Sequence, residues 1–330
     1  MRIAIDAMGG DYGPRGVVEG AMKALKHVNY ELLLVGNRRY IRRLLRARRF
    51  ESPLIELVHT TQKVDMHESP KESLRKKDSS MSVCARLVKE GDAQAVISAG
   101  NTGAAMASAL MAWRTLPGIS RPAIATLIPG QKHPVVLIDS GANVDCKPRN
   151  LLEFGVMGHC YAKYVLERNS PRIAVLSIGE EESKGNELTK AASELLSNTS
   201  LNFRGNAEGR DIISDKYDVI VCDGFIGNVI LKFAEGVAGM IFKSLKWEIS
   251  KNIISRFAAI GVKPAFKSLK KRIDYQEYGG APLLGLNGTY IICHGISDPK
   301  AIMNAIKAAG RIVDHDLNRH IVEEIKKMKG

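Results

Sequence analysis

The stretch Asp92-Ala-Gln-Ala-Val-Ile-Ser-Ala-Gly-Asn-Thr-Gly-Ala-Ala-Met106 decides the fold. A short apolar run ends at Ser98, a glycine-rich turn follows, and an Ala- and Met-rich run begins after Gly103. This order predicts a buried strand, a tight turn and the start of a helix. Unpaired N–H groups at a helix start favour an anion, and glycines let the backbone approach it closely. The stretch therefore predicts either a phosphate-binding turn or a plain strand-to-helix turn packed with small residues.

Side chains of the same turn could add hydrogen bonds to an anion, because Ser98, Asn101 and Thr102 all carry polar groups. The chain contains neither G-x-G-x-x-G nor G-x-x-x-x-G-K-[ST], so the common dinucleotide and P-loop signatures are absent. It also lacks the G-x-S-x-G nucleophile elbow and the H-E-x-x-H zinc motif. These residues favour a reaction that needs no metal, no nucleotide and no covalent intermediate.

Length and composition are those of a soluble globular protein. The chain has 330 residues, of which 45% are apolar and 25% charged, enough for one large α/β domain or two smaller ones. Asp6 interrupts the first apolar run, which argues against a signal peptide, and no apolar window is long enough to span a bilayer. Dispersed cysteines without a C-x-x-C pair predict a reduced cytoplasmic protein. They are Cys84, Cys146, Cys160, Cys222 and Cys293.

The formal net charge of +13 is unusual and unevenly distributed. Residues 37–50 hold seven arginines and no acid before the chain reaches Glu51. Residues 243–272 hold nine lysines and arginines against the single acid Glu248. Such stretches attract acidic proteins, anionic lipid or nucleic acid, or simply form a solvated face, and composition alone does not choose among these.

Apolar runs that each end in a polar, glycine-bearing loop recur along the chain. They are Ile3 to Ile5, Leu32 to Val35, Val96-Ile97, Val135 to Ile138, Ile173 to Leu176, Val219 to Val221 and Tyr290 to Ile292. Helical patterns separate most of them, which predicts an α/β fold with a mostly parallel sheet covered by helices on both faces. Since ligands bind at the carboxyl ends of parallel strands, we expect all these loops to converge on one site.

Residues 240–275 depart from this alternation. Apolar residues recur there at three- and four-residue spacing with lysines on the other faces, and Gly261 and Pro264 interrupt the run. The pattern predicts a protruding, amphipathic, basic helical hairpin inside a single domain spanning residues 1–330. It could contact a membrane surface, form a dimerisation arm or pack as an ordinary helix.

Several polar residues at predicted strand ends could carry chemistry. Lys184, in the loop Gly179-Glu-Glu-Glu-Ser-Lys-Gly-Asn-Glu187, could stabilise an oxyanion or merely balance its glutamates. Asp223 and Asn228 flank Gly224 and Gly227 at another strand end, and His294 is a possible ligand or a structural histidine. Cys222 and Cys293 are interpreted as small buried hydrophobes rather than nucleophiles.

The motifs together resemble the bacterial acyl carrier protein:phosphate acyltransferase family, the PlsX family, over essentially the whole chain. Blocks in the first half carry the resemblance: Ile3-Ala-Ile-Asp-Ala-Met-Gly-Gly-Asp11, Ser98-Ala-Gly-Asn-Thr-Gly103, Arg121-Pro-Ala-Ile124 and Ile138-Asp-Ser-Gly-Ala-Asn143. Further blocks continue it: Leu176-Ser-Ile-Gly-Glu-Glu-Glu-Ser-Lys-Gly-Asn186, Phe203-Arg-Gly-Asn-Ala-Glu-Gly209, Val221-Cys-Asp-Gly-Phe-Ile-Gly-Asn-Val229 and Gly279-Gly-Ala-Pro-Leu-Leu-Gly-Leu-Asn-Gly288. The arginine-rich segment near residues 38–49 stands outside these blocks.

The resemblance implies transfer of a long fatty-acyl group from acyl carrier protein to inorganic phosphate, giving acyl phosphate for phospholipid synthesis. It implies a three-layer α/β/α sandwich of the isocitrate dehydrogenase and phosphate acetyltransferase type. The implied protein is a cytoplasmic homodimer, attached peripherally to the membrane, that supplies a glycerol-phosphate acyltransferase. No cofactor, metal or nucleic acid is expected.

On this basis we predict a direct attack of bound phosphate on the thioester, with catalytic roles for Lys184, Asn228 and His294. The residues predicted to bind phosphate or the rest of the substrate are Asp6, Ser98, Asn101, Thr102, Gly103, Asp139, Asn143, Asn206, Glu208 and Asp223. The residues predicted to contact the membrane are Ile253, Phe257, Ile260 and Val262.

Two other functions stay open at this point. One is an NAD(P)-dependent dehydrogenase of the related fold group, since that group does not use G-x-G-x-x-G. The other is a basic nucleic-acid-binding protein, which predicts a steep salt dependence of binding. The aromatic content of 6% argues against the second, because single-stranded nucleic acid is commonly bound by stacking on aromatic rings.

Overall fold

A single sheet of eleven strands forms the centre of the protein. The computed structural model describes residues 1–251, 259, 261–269 and 277–328. The strands are β1 Arg2–Asp6, β2 Glu31–Gly36, β3 Ile55–His59, β4 Ala95–Ser98, β5 Ala123–Ile128, β6 Val135–Ile138, β7 Ile173–Leu176, β8 Phe203–Ala207, β9 Val219–Val221, β10 Ala281–Leu284 and β11 Thr289–Ile292. All seven predicted strands are therefore confirmed.

The strand order across the sheet is β3-β2-β1-β4-β11-β10-β5-β6-β9-β7-β8. Neighbouring strands are parallel except at β11–β10, β10–β5 and β5–β6, so the prediction of a mostly parallel sheet is confirmed. Because of these three reversals, the group β6, β9, β7, β8 runs opposite to the group β3, β2, β1, β4, β11. The carboxyl ends of the two groups thus point in opposite directions along the sheet. The expectation that all the loops converge on one site is confirmed only in part: the segments after β4, β6, β9 and β11 line one cavity, whereas the loops after β1, β2 and β7 do not line it.

Helices cover both faces of the sheet. They are α1 Gly13–Ala24, α2 Arg38–Ala47, α3 Pro70–Ser73, α4 Ser80–Glu90, α5 Thr102–Trp113, α6 Pro148–Cys160, α7 Glu187–Ser197 and α8 Gly224–Ser250, followed by Pro299–Asp314 and Leu317–Lys327. Successive residues of one strand belong to different apolar cores, since Ile3 packs in one core and Ala4 in another. A strand presents alternate side chains to its two faces, so this division gives the three-layer α/β/α sandwich.

Helix α8 differs from the other helices because most of its apolar surface is uncovered. The expectation that no apolar window could span a bilayer was wrong, because α8 is long and apolar enough to do so by length and composition. Only 6% of its most apolar 18-residue window is buried. Large side chains such as Phe233, Ile241 and Trp247 are more than half exposed. The helix begins at the centre of the sheet and carries this apolar surface away from it.

The predicted hairpin at residues 240–275 is described only in part. The end of α8 and residues 261–269 are helical, and Val262 is 47% exposed. The other residues predicted to contact a membrane, Ile253, Phe257 and Ile260, lie outside the described residues. The hairpin and its membrane contact stay predictions.

Candidate active site

The loops after β1 and β4 form one compact turn at the end of the first strand group. The buried Asp6 carboxylate accepts hydrogen bonds from the Met8 and Gly9 amides at 3.1 and 3.2 Å and from Ser98 Oγ at 2.7 Å. Ser98 Oγ in turn accepts the Gly100 amide at 3.0 Å. A Cβ at Gly9 would lie 2.7 Å from the Gly100 nitrogen, so only glycine permits this approach. Asp6 and Ser98 therefore hold the turn in shape and do not face solvent.

The start of α5 presents free amides beside this turn. Asn101 caps the helix, because its Oδ1 accepts the Ala104 amide at 2.9 Å. Its Nδ2 donates to the carbonyls of Met66 and Glu68 at 2.7 and 3.0 Å, which ties a second loop to the helix start. The cap leaves the amides of Thr102 and Gly103 without a partner among the described hydrogen bonds. These two amides are the ones available to an anion.

Asp139 organises the loop after β6 in the second strand group. Its fully buried carboxylate accepts the amides of Ile124, Gly141, Ala142 and Asn143 at 2.7–3.2 Å. The Asn143 side chain donates to it at 2.9 Å and to the Pro122 carbonyl at 2.8 Å. Burial raises the pKa of Asp139, and the hydrogen bonds oppose that shift. Asp139 and Asn143 thus fix the conformation of the loop after β6 through buried hydrogen bonds.

Helix α8 packs directly on this loop through glycines. Asp223 caps the helix by accepting the Ile226 amide at 2.9 Å. A Cβ at Gly227 would lie 1.9 Å from the Asp139 carbonyl oxygen, and one at Gly224 would lie 2.7 Å from the Asn143 carbonyl oxygen. The contact places the exposed Asn228 against Gly141. A Cβ added at Gly141 would lie 3.5 Å from the Asn228 Cβ.

A cavity of about 350 Å³ lies between the two strand groups. Gly100 and Thr102 line it from the first group, and Ser140 and Gly141 line it from the second. Its polar side chains include Asn228, Lys232 and His294. Its apolar wall includes Met66, Ile124, Leu127, Leu231, Ala281 and Ile292. The cavity thus combines the start of α5 at Thr102, a cation and an apolar wall, the composition of a site for an anion beside an apolar group.

Lys232 is a cavity residue that sequence reasoning missed. Its Nζ lies 3.3 Å from His294 Nε2 and 3.1 Å from Glu235 Oε2. The signal was present in the spacing, because Lys232 follows Asn228 by four residues and therefore lies on the same helix face. His294 joins this face from the end of β11, so the predicted Asn228 and His294 meet at an unpredicted lysine.

Of the predicted catalytic and binding residues, only Thr102, Asn228 and His294 line the cavity. Three of the others lie on or after the outer strands β7 and β8. Lys184 is exposed on the loop after β7. Asn206 donates to the carbonyls of Glu181 and Lys184 at 2.8 and 3.4 Å and thereby fixes that loop. Glu208 pairs with Arg210 at 2.8 Å. These residues belong to the outer strands β7 and β8, beyond β9 from the cavity.

The thiols near the site are unreactive by their surroundings. Burial raises the pKa of Cys293 to about 12 and that of Cys222 well above its usual value. Both therefore stay protonated near neutral pH, as expected for small buried hydrophobes. Among the described residues, no group of three His, Cys, Asp or Glu side chains is placed to hold a metal ion.

Comparison with known proteins identifies the family. Residues 1–320 match the family described as "Fatty acid synthesis protein". The chain belongs to this family. A relative from Pelotomaculum thermopropionicum is 49% identical over 330 residues, covering 100% of this chain and 96% of the relative. One from Moorella thermoacetica is 50% identical over 318 residues, covering 96% and 94%. Both are named phosphate acyltransferase, and the chain is accordingly an acyltransferase.

Solved structures that resemble the chain establish its fold type. A phosphotransacetylase from Streptococcus pyogenes superposes with a TM-score of 0.65 at 19% identity, covering 95% of this chain and 94% of that one. A 4-hydroxythreonine-4-phosphate dehydrogenase from Klebsiella pneumoniae gives 0.54 at 14% identity, covering 94% and 99%. The fold is therefore shared by acyltransferases and dehydrogenases, and the family membership distinguishes between them.

Proposed function

We propose that the protein transfers a long-chain fatty-acyl group from acyl carrier protein to inorganic phosphate and releases acyl phosphate for phospholipid synthesis. One observation carries the proposal: a single cavity joins the start of α5 at Thr102, the side chain of Lys232 and an apolar wall. The shared name of the relatives from Pelotomaculum and Moorella supports phosphate as the acceptor. The carrier protein as donor rests on the motifs and on the basic charge of the chain.

Phosphate binds at the start of α5 in this proposal. The Thr102 and Gly103 amides donate to it, and the positive end of the helix dipole adds to the attraction. Asp6, Ser98 and Asn101 do not contact the phosphate in this proposal, because their side chains are engaged in hydrogen bonds within the turn and the helix cap. Their predicted role in phosphate binding is therefore one of shaping the site.

The acyl group lies along the apolar wall in this proposal. Leu231 of α8 lines the cavity, and α8 continues outward with an exposed apolar surface. A cavity of about 350 Å³ is at the small end for ligand sites, so a long chain must leave it. The surface of α8 offers the apolar route nearest to the cavity.

The chemistry requires no group beyond the two substrates and the cavity residues. An oxygen of hydrogen phosphate attacks the thioester carbonyl carbon, and the C–O bond forms as a tetrahedral oxyanion develops. The oxyanion collapses, the C–S bond breaks, and the proton of hydrogen phosphate ends on the carrier thiol. Holding phosphate and thioester in one cavity supplies the proximity, and a thiol is a good leaving group without a strong acid.

Lys232 is the cation that we place at the oxyanion, with Asn228 and His294 beside it. An ammonium group in a partly enclosed cavity stabilises negative charge that develops during attack. His294 and Glu235 lie at 3.3 and 3.1 Å from Lys232 Nζ and hold it in position. Lys184 stays a prediction, and variants of the two lysines distinguish between them.

The exposed apolar surface of α8 is also available for contacts with a second copy of the chain or with a membrane. We propose that part of it is covered in a homodimer and that residues 253–262 attach the cytoplasmic protein peripherally to the membrane. Val262, which is 47% exposed, agrees with such a contact. At the membrane the apolar product is passed on to a glycerol-phosphate acyltransferase.

The test is acyl phosphate formation from palmitoyl-acyl carrier protein, trapped with hydroxylamine as the hydroxamate. We expect product that depends on added phosphate, with little from the matching coenzyme A thioester. Thr102→Pro removes one of the two free amides and gives the matched variant, because proline fits the first turn of a helix. Phosphate-independent product would contradict the proposal. Nicotinamide binding without acyl transfer would support the dehydrogenase instead.

A further inference from the structure

A groove of about 710 Å³ lies on α2, outside the cavity that holds the proposed chemistry. It is lined by Arg38, Arg39, Arg42, Arg43, Arg46 and His59. The arginines repeat at three- and four-residue intervals, so their side chains share one face of α2. From Arg38 to Arg46 this face extends over about 12 Å at the rise of an α-helix. The groove is thus a continuous stripe of guanidinium groups.

The charge of this stripe is not neutralised within the described part of the chain. α2 contains no acid, and the ion pairs of the described residues include none for Arg39, Arg42, Arg43 or Arg46. The neighbouring Arg48 does pair, with Glu19. Like charges on one helix face repel each other. An anionic partner that covers the stripe therefore lowers its electrostatic free energy.

The groove is connected to the candidate active site through the loops after β1 and β3. A Cβ added at Gly36, which precedes α2, would lie 3.3 Å from Ile41 of α2 and 2.9 Å from Met8, so both side chains pack beside this glycine. Met8 belongs to the turn that Asp6 holds. His59 lines the groove, and Met66, seven residues later, lines the cavity. Seven residues span at most about 25 Å. His59 in the groove and Met66 in the cavity lining are therefore no more than about 25 Å apart, which limits how far a protein bound at α2 is from the cavity.

The second basic stretch differs in its surroundings. The lysines at the end of α8, Lys243 and Lys246, alternate with exposed apolar side chains such as Ile241 and Trp247. That mixture suits a lipid surface or a second apolar helix. Along α2 the only large apolar side chain that is exposed is Tyr40, at 44%. A purely charged stripe suits an acidic, water-soluble partner, whose carboxylates can pair bidentately with arginine.

We infer that the arginine stripe of α2 is the docking surface for the acidic carrier protein that delivers the acyl group. The inference rests on the proposed function, which supplies the carrier as donor. Docking at α2 brings the acyl thioester to the cavity across the segment from His59 to Met66. The end of α8, where lysines alternate with exposed apolar side chains, remains available for a lipid surface or a second apolar helix.

The experiment compares two double variants of equal charge change, Arg39→Glu/Arg43→Glu on α2 and Lys243→Glu/Lys246→Glu on α8. Dissociation constants for purified acyl carrier protein are measured by calorimetry at low and moderate salt, on full-length proteins whose melting temperatures are checked first. Exposed ion pairs are individually weak, so we expect the α2 reversal to weaken binding by about tenfold at low salt. The α8 reversal should change it by less than about twofold. The neutral variant Arg42→Gln/Arg46→Gln gives a milder second test.

Steady-state kinetics complete the test. The α2 variant should show a raised KM for the acylated carrier with kcat unchanged, because the stripe contacts no reacting atom. Unchanged carrier binding in both α2 variants would overturn the inference, as would a larger loss in the α8 variant. Loss of binding to anionic vesicles or RNA, with carrier binding retained, would also overturn it. Carrier binding through α2 without any acyl phosphate would instead refute the proposed function and leave the docking surface standing.

Discussion

Gly227→Ala is the substitution whose consequences the structure defines best. The Cβ of alanine at this position would lie 1.9 Å from the Asp139 carbonyl oxygen, whereas real Cβ contacts stay above 3.0 Å. The first turn of α8 must therefore move by about 1 Å. The neighbouring atoms are backbone and cannot rotate away, so the displacement carries the next residue, Asn228, and the rest of the helix face with it.

The free energy of unfolding should fall by about 1–3 kcal/mol. Overpacking costs about 1–3 kcal/mol, and losing the 2.7 Å hydrogen bond from the Gly224 amide to the Asn143 carbonyl costs about 1 kcal/mol more. The higher helix propensity of alanine offsets about 1 kcal/mol of this destabilisation. Because Asn228 and Lys232 shift with the helix, the acyl-transfer rate should fall by about a hundredfold.

Gly236→Ala is the matched control, since it lies on the same helix and a Cβ there meets nothing within 4 Å. It should stabilise the protein by up to about 1 kcal/mol and leave the rate unchanged. Urea denaturation followed by circular dichroism gives the two free energies, and hydroxamate formation gives the rates. Wild-type stability and rate in Gly227→Ala would refute the packing of α8 on the Asp139 loop.

Three further outcomes are expected. Lys232→Met should lower kcat/KM for acyl transfer by about 10²–10³ with the fold intact, whereas a comparable loss in Lys184→Met alone would move the oxyanion role to the loop after β7. Cys293→Ala should retain turnover within about twofold, because burial raises the pKa of this thiol to about 12; loss of activity would indicate a nucleophile. Burial lowers the pKa of His159 from 6.5, so the unfolded chain binds its proton first as the pH falls below that value. The melting temperature should accordingly drop less between about pH 7.5 and 5.5 in His159→Gln than in the wild type, and equal drops would contradict this.

Much of the first strand group could be predicted from the sequence, because its signals are local. The apolar run before Ser98, the glycines after it and the cap residue Asn101 specify strand, turn and helix within ten residues. The same holds for Asp223 at the start of α8. In each case the deciding interactions join residues close in the chain.

The direction of the second strand group could not be predicted. Apolar runs such as Val135 to Ile138 indicate a strand but carry no information on its neighbours, and the reversals at β10 and β5 are long-range pairings. β8 was not recognised because polar residues such as Arg204 and Asn206 break its apolar pattern. Lys184 and Asn228 follow the neighbouring parallel strands β7 and β9, and of the two only Asn228 lines the cavity. The order of the strands across the sheet decides this difference, and local sequence patterns do not contain it.

Side-chain roles were the other limit. Asp6 and Asp139 look like ligand-binding carboxylates at strand ends, yet both are saturated by internal hydrogen bonds. Lys232 lies inside an apolar helical run, and no sequence motif marks it as a site residue. It becomes a candidate only when α8 is placed against the cavity and His294.

Release of the carrier thiol in a single turnover without phosphate tests the central claim most directly. Enzyme in excess is mixed with palmitoyl-acyl carrier protein in phosphate-free buffer, and free thiol is measured over time, with phosphate added in a second step. Direct attack within the cavity predicts no thiol above the rate of spontaneous hydrolysis until phosphate is added, and then full release. A burst of one thiol per site before phosphate is added would show an acyl-enzyme and contradict direct attack.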